Sequence, residues 1–326
     1  MYKIKFGGVF IENFFNNLKK EKIDYVVLRN YDGLPKTNSS KDVDILIDEK
    51  NIFVTNKILL DLYKELDFSF IWENNLDYLT GYAFVKKINN IIYSVKIDIF
   101  HGLKWRGLNY LENDIIFNEK KEYNSLYIPN KSHESFIMIL YYILYAKNIK
   151  EKYFFDIYAY KNDRDHFQRI LLATLDKSLS NKIVKSLDNE NILKLITYRK
   201  NIIKNIIVKN LKSFFVMSKN IIRHIYCEVF QRNSFGAIVL FNGESQEKDL
   251  ISKIFIDLGI SVKVKKKLNT IELIRLLRKN PLIVLKKKEL SYLQRKIFLN
   301  RIVNIQSLNL ETIFLNIQNT MKKDKV

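Results

Sequence analysis

The sequence predicts an α/β fold, and three observations support this prediction. Near the N-terminus, runs with apolar residues at helical spacing alternate with strand-like runs. Two strand-like runs, 80–88 and 91–100, are separated by Asn89-Asn90, which suits a tight hairpin turn. Toward the C-terminus, short apolar runs alternate with helical stretches, as in a small parallel sheet.

The pattern of elements predicts three domains, which span residues 1–130, 131–232 and 233–326. The first is expected to be a mixed α+β sheet with helices, the second a helical region and the third a small parallel α/β unit. Helices are predicted over 3–22, 50–68 and 136–147, then onward to about residue 232, and over 249–258. Strands of the third domain are predicted over 235–241, 260–264, 281–285 and 301–305.

Asp42 and Asp44 open a strand-like run and are the most informative feature of the sequence. Side chains alternate between the faces of a strand, so these two carboxylates share one face. Asp98 lies near the end of the second hairpin strand and adds a third carboxylate. Because paired carboxylates repel each other and all-oxygen sites suit hard cations, we expect Mg²⁺ or Mn²⁺ here. In the alternative reading, Asp42 caps a turn after Ser39-Ser40.

The N-terminal residues resemble the nucleotidyltransferase superfamily with the polymerase-beta-like fold, in an uncharacterised bacterial branch. The resemblance covers about residues 20–130 and is carried by Tyr25–Asn30, the turn-rich loop 31–35, the Asp42-x-Asp44 strand and Ile97–Phe100. It implies two metal ions held by the three aspartates, and in-line attack of a hydroxyl on a nucleoside triphosphate. It also implies that Asp98 orients or deprotonates the acceptor hydroxyl.

The triphosphate-binding part of the superfamily pattern differs in this chain. Members usually carry a Gly-Ser pair about ten residues before the paired aspartates, and Arg29-Asn30 stands near that place here. A guanidinium can hold phosphate through two parallel hydrogen bonds, so Arg29 is the expected substitute. Asn30, Ser39 and Ser40 are further candidate donors to the phosphates.

The loop after Asp98 also contains residue types that bind phosphate. His101, Lys104 and Arg106 lie with Trp105 between two glycines, just after the end of a predicted strand. Loops that leave strand ends commonly carry function, so Lys104 and Arg106 are candidate phosphate contacts and His101 a candidate base or substrate contact. In the alternative reading, Trp105 anchors the loop and the cations are solvated.

The start of the third domain is similar to thymidylate-kinase-like domains. A buried strand over 235–241 is followed by a loop and a helix, which is the context of a P-loop. Of the phosphate-binding residues only Gly243 and Lys248 remain, and Glu247 and Asp249 flank the lysine. We therefore expect a degenerate P-loop segment without ATP-dependent activity, kept for packing or partner binding.

Positive charge is concentrated outside the first domain. The chain has a formal net charge of +20, whereas residues 1–130 hold 18 basic and 18 acidic side chains. The remainder holds 37 basic and 17 acidic side chains, a balance that would attract nucleic acid, an anionic membrane surface or a phosphorylated glycan carrier. Lysines solvated without any partner are the alternative.

Cysteine and histidine usage, and the lack of long apolar runs, complete the sequence-based expectations. Cys227 is the single cysteine, so no intrachain disulfide is expected, and the four histidines are scattered without a visible zinc motif. No apolar run approaches the ~20 residues that span a membrane, which predicts a cytoplasmic protein, at most peripheral to the inner membrane surface.

Together these features predict a metal-dependent nucleotidyltransferase. It would transfer a nucleotidyl or phospho-alcohol group from a triphosphate or nucleotide-activated donor to a sugar or glycan hydroxyl, in surface polysaccharide biosynthesis. Phospho-alcohol transfer is included because fukutin-related phosphotransferases use a similar fold. Two alternatives remain open: a catalytically inactive binding or scaffold protein, and a toxin-like nucleotidyltransferase that modifies tRNA or protein.

Overall fold

The structure is a computed structural model, and it confirms the α/β fold class. It describes residues 3–6, 8–37, 42–89, 91–146, 148–211, 214–226, 237–241, 245–257, 262–264, 282–286, 291, 302–305 and 316–317. Ser39, Ser40, Cys227 and the loop 242–244 lie outside the described residues, so the expectations that concern them stay predictions.

The helices and strands are numbered in chain order. The strands are β1 (Lys3–Phe6), β2 (Tyr25–Arg29), β3 (Val43–Ile47), β4 (Ser69–Asn75), β5 (Leu79–Ile88), β6 (Ile91–Phe100), β7 (Leu103–Trp105), β8 (Leu108–Leu111), β9 (Lys121–Tyr123), β10 (Leu126–Ile128), β11 (Ala237–Phe241), β12 (Val262–Val264), β13 (Leu282–Lys286) and β14 (Ile302–Ile305). The α-helices are α1 (Val9–Lys20), α2 (Ile52–Glu65), α3 (Asn113–Phe117), α4 (Lys131–Tyr141), α5 (Phe154–Tyr158), α6 (Arg164–Thr174), α7 (Lys177–Asp188), α8 (Arg199–Leu211), α9 (Phe214–Tyr226) and α10 (Ser245–Asp257).

Strand β6 is the centre of the N-terminal mixed sheet, whose order is β2-β3-β6-β5-β4. The predicted hairpin is confirmed: β5 and β6 pair antiparallel, and Asn89 in the turn has a φ of +53°. On its other edge, β6 pairs in parallel with β1 along its first half and with β3 along its second half. This second pairing places Asp44 directly opposite Asp98.

The two faces of this sheet belong to two different hydrophobic cores. Val43, Ile45 and Ile47 of β3 pack into a core with residues of α1 and α2. Leu46, on the opposite face, packs into the core of the helical region, which includes residues of α4, α6 and α7. Because side chains alternate along β3, Asp44 lies on the face that the helical region adjoins.

Three predicted helix starts differ from the observed ones by four residues or more. The helix predicted over 3–22 begins only at Val9, because residues 3–6 form β1, in which Lys3 and Lys5 alternate with Ile4 and Phe6. The helix predicted from 136 begins at 131, where the Asn130 side chain accepts a hydrogen bond from the His133 amide at 2.9 Å. The helix predicted from 249 begins at 245.

The C-terminal strands form a parallel sheet, as the sequence predicts. Its order is β12-β13-β11-β14, and every described pair in it is parallel. The division into three domains at residues 130 and 232 stays a prediction. Within the described part of the chain, no helix combines the length and apolar character needed to cross a membrane.

Candidate functional site

Asp42, Asp44 and Asp98 form a carboxylate cluster on the sheet face that adjoins the helical region. One carboxylate oxygen from each lies within 4.8 Å of those of the other two. Asp44 and Asp98 face each other across the parallel β3–β6 pair, and Asp42 directly precedes β3. Asp44 is 1% exposed, whereas Asp42 and Asp98 remain partly open to solvent.

Two cations contact the carboxylate cluster. Nε of Arg29 lies 2.5 Å from Oδ2 of Asp44. Nζ of Lys96 lies 3.2 Å from Oδ2 of Asp98 and 3.5 Å from Oδ2 of Asp42. With all five groups ionised, the cluster carries one net negative charge. The sequence interpretation gave Lys96 no role in the site, although its position two residues before Asp98 places both side chains on one face of β6.

Burial perturbs the protonation of the cluster. It raises the pKa of Asp98 to about 6, against the attraction of Lys96 and with repulsion from Asp44 and Asp42. It also raises the pKa of Asp44, against the attraction of Arg29. Strongly perturbed carboxylates on adjacent strands are typical of functional sites.

One oxygen of Asp98 remains available for a ligand. Oδ1 of Asp98 is buried and has no hydrogen-bond partner among the residues that the structure describes. Buried polar atoms are nearly always paired, so an unpaired carboxylate oxygen calls for an explanation, and a bound ion or an ordered water is one. Three carboxylates form an all-oxygen donor set, which is the chemistry that Mg²⁺ or Mn²⁺ prefers. The residues present therefore fit such an ion.

A cavity of about 320 Å³ lies beside the cluster, and Arg29 connects the two. Arg29, Asn30, Tyr31, Lys131, Tyr153 and Phe155 are among the residues that line this cavity. The guanidinium carbon of Arg29 also lies 5.4 Å from the centre of the Tyr141 ring, a cation–π distance. The structure thus brings Arg29 to the carboxylates and Asn30 to the adjoining cavity.

Lys104 and Arg106 have other surroundings. Nζ of Lys104 lies 3.4 Å from Oε2 of Glu49, which also pairs with Arg223 of α9. Arg106 packs over the Trp105 ring at 5.2 Å and lines a second cavity of about 700 Å³. In the described part of the chain, the contacts of these two cations do not include the carboxylate cluster.

His101 is also held away from the cluster. Its Nε2 lies 2.9 Å from the Thr80 hydroxyl, and it is 6% exposed. Burial, with Arg223 and Lys104 nearby, lowers the pKa of His101 to about 4, so its imidazole is neutral at pH 7.

Comparison with known proteins assigns no family to the chain. No protein-family model matches it, and no curated protein matches it. A crystal structure from H. pylori, named as a presumed nucleotidyltransferase, aligns with 60% of this chain and 93% of its own chain, at 15% identity and a TM-score of 0.26. A structural similarity with that TM-score does not indicate an activity for this chain.

Proposed function

We propose that this chain is a metal-dependent transferase of the nucleotidyltransferase kind. It would move a nucleotidyl or phospho-alcohol group from a nucleoside triphosphate or nucleotide-activated donor to a hydroxyl group. The observation that carries the proposal is the convergence of three carboxylates within 4.8 Å of one another, with the buried Oδ1 of Asp98 unpaired among the described residues.

In this proposal, Asp42, Asp44 and Asp98 hold Mg²⁺ or Mn²⁺. A metal ion bound there would neutralise the donor phosphates and lower the pKa of the attacking hydroxyl. Asp98 also keeps one carboxylate oxygen, Oδ1, without a hydrogen-bond partner among the described residues. We assign its Oδ1 as the atom that orients the acceptor hydroxyl and accepts its proton.

The cavity beside Arg29 is the proposed donor site. Arg29 and Asn30 line it next to the cluster and would contact the donor phosphates, because a guanidinium can bind phosphate oxygens in pairs. Tyr153 and Phe155 line it as well, and Phe155 is 86% exposed. These two rings offer a stacking surface for the donor base. The sugar or glycan acceptor follows from the resemblance of the N-terminal motifs.

The test is calorimetric titration of the intact chain with Mg²⁺ or Mn²⁺ and a panel of nucleoside triphosphates and CDP-alcohols. We expect metal-dependent donor binding by the native chain and its loss in Asp42→Asn/Asp44→Asn. Asp48→Asn is the matched control, because Asp48 follows the same strand but its side chain pairs with Lys50 outside the cluster. Equal binding by the native chain and the double variant would contradict the proposal.

A second candidate function is a catalytically inactive binding or scaffold protein. It is favoured by one observation: Arg29 and Lys96 between them contact all three carboxylates, so an ion-pair network alone accounts for most of the charge. In that case the folded chain would bind no donor at any metal concentration, and the cluster would serve only to join β2, β3 and β6.

A further inference from the structure

Glu119, His133 and His166 form a second cluster of metal-binding residue types, apart from the carboxylate cluster. One ligand atom from each lies within 4.8 Å of the other two. Glu119 follows α3, His133 lies in the first turn of α4 and His166 lies in the first turn of α6. These positions are far apart in sequence, so no spacing motif in the sequence predicts the cluster.

The geometry of the cluster matches a small coordination sphere. Oε2 of Glu119 lies 2.8 Å from Nε2 of His166 and 3.8 Å from Nε2 of His133. Bonds of about 2.0–2.1 Å in a tetrahedral zinc site place ligand atoms about 3.3–3.4 Å apart. The two observed distances lie on either side of that value, so small side-chain movements would bring all three atoms to one ion.

His133 supplies the independent observation that points to a ligand. Its side chain is 0% exposed, and neither Nδ1 nor Nε2 has a hydrogen-bond partner within the described ranges. Burying an imidazole without partners costs free energy, and such groups are rare in folded proteins.

The contact between Oε2 of Glu119 and Nε2 of His166 satisfies these two residues and leaves His133 unexplained. At 3.8 Å from the Glu119 carboxylate, Nε2 of His133 is beyond hydrogen-bond range. A metal ion would satisfy this nitrogen and at the same time use the carboxylate and the second imidazole.

We propose that Glu119, His133 and His166 bind Zn²⁺ through one carboxylate oxygen and two imidazole nitrogens, with water as the fourth ligand. Two histidines and one glutamate are a recognised zinc donor set. This set contains nitrogen, unlike the all-oxygen carboxylate cluster, so the two sites select different ions. The proposal does not depend on the proposed transferase activity.

The surrounding residues fit this role. Nδ2 of Asn130 lies 3.1 Å from Oε2 of Glu119 and 3.1 Å from Nε2 of His166, and its Oδ1 caps the backbone of His133. With Nε2 of His166 bound to an ion, the amide would keep its contact with Glu119 and so orient two of the ligands. Nη2 of the exposed Arg169 lies 3.2 Å from Nδ1 of His166. Coordination through Nε2 would put the proton on Nδ1, so the guanidinium would then move away.

Zinc at this position would join the segment after α3 to the first turns of α4 and α6. The core that contains α4 and α6 residues also contains Leu46 of β3, on the same sheet face as Asp44. The zinc site would therefore stabilise the helices that adjoin the carboxylate cluster without involving the three aspartates.

The test uses the full chain after dialysis against a chelator, titrated with Co²⁺ and followed by its visible absorption. We expect one Co²⁺ with the intense bands of tetrahedral coordination, displacement by Zn²⁺, and a rise of a few degrees in the melting temperature with Zn²⁺. His133→Phe and Glu119→Gln should each weaken Co²⁺ binding at least about 100-fold, since partners of ligands alone change affinity 10–100-fold.

Two variants serve as controls and separate this site from the carboxylate cluster. Glu122→Gln, which changes an exposed glutamate of β9, and Asp42→Asn/Asp44→Asn should both keep the tetrahedral spectrum. Circular dichroism of each variant checks that it is folded. Glu119 is half-exposed, so Glu119→Gln tests the site even if the buried substitution His133→Phe prevents folding. The proposal is wrong if the native chain shows no tetrahedral spectrum, or if His133→Phe and Glu119→Gln both retain it.

Discussion

Lys96 is the residue whose removal tests the electrostatics of the carboxylate cluster most directly. Its ammonium bridges Asp98 at 3.2 Å and Asp42 at 3.5 Å, and its side chain is largely buried. Although burial opposes it, the attraction of Asp98 and Asp42 raises the pKa of Lys96, so the side chain is charged at pH 7. Lys96→Met keeps an unbranched side chain, one atom shorter, and removes the charge and its hydrogen bonds.

The size of the effect follows from the distances. At an effective dielectric constant of about 20, each of the two contacts is worth about 5 kcal/mol before desolvation is subtracted. Removing one partner of a buried ion pair typically costs about 3–5 kcal/mol. We therefore expect Lys96→Met to lower the free energy of unfolding by about 3 kcal/mol in a metal chelator.

Mg²⁺ should offset part of this loss. The variant keeps all three carboxylates but loses the cation that competes with a metal ion, so its affinity for Mg²⁺ should rise at least about tenfold, equivalent to ~1.4 kcal/mol. Saturating Mg²⁺ would then stabilise the variant more than the native chain. Manganese should act in the same direction, since the donor set is all oxygen.

The assay is urea unfolding with EDTA and with saturating Mg²⁺, for the native chain and for Lys96→Met. Lys50→Met is the matched control, because Lys50 pairs with Asp48 on the surface at 3.0 Å and exposed pairs contribute little. Equal stability of the native chain and Lys96→Met in EDTA would refute the electrostatic argument. Equal stabilisation of both by Mg²⁺ would refute the metal site.

Two further predictions follow. Because burial raises the pKa of Asp98 to about 6 from an ordinary 3.8, its proton stabilises the fold fully below about pH 4, and this stability is lost as the pH rises through 6. The free energy of unfolding of Asp98→Asn, relative to that of the native chain, should therefore rise by about 2 kcal/mol as the pH rises from 4 to 7.5 in EDTA. Urea unfolding across this pH range measures the difference, and parallel pH curves for the two proteins would contradict the prediction. Gly107 has a φ of +80°, and a Cβ there would lie 2.5 Å from the Asn220 carbonyl oxygen. Gly107→Val should accordingly loosen α9, with faster hydrogen exchange over 214–226, whereas unchanged exchange there would show that the helix docks through other contacts.

The strands that carry the carboxylates could be predicted from local sequence. The hairpin of β5 and β6 follows from two strand-like runs and a turn that tolerates positive φ, and the structure has it in that place. The same alternation put Asp42 and Asp44 on one face, with Asp98 and Lys96 sharing a face of the neighbouring strand. The segment 3–6 was harder, because a four-residue strand lies next to a helix with strong apolar spacing.

Other features depended on contacts between distant residues. Lys104 lies four residues after β6 ends at Phe100, yet it pairs with Glu49 across the fold. Arg29 pairs with Asp44 because β2 and β3 lie antiparallel with those two residues in register. His133 and His166 looked scattered in the sequence, and helix packing brings their rings to 5.2 Å.

The sequence by itself determined the β5–β6 hairpin and the strand that carries Asp44, which side chains share a strand face, and that the C-terminal strands form a parallel sheet. These properties follow from the two-residue and 3.6-residue periods of the backbone, which act over a few residues. Tertiary structure decided that the carboxylate face adjoins the helical region, that Arg29 and Lys96 pair with the aspartates, and that Glu119 lies beside two histidines. Those pairings depend on how elements pack, because contacts across tens of residues are set by burial of whole faces rather than by local periodicity.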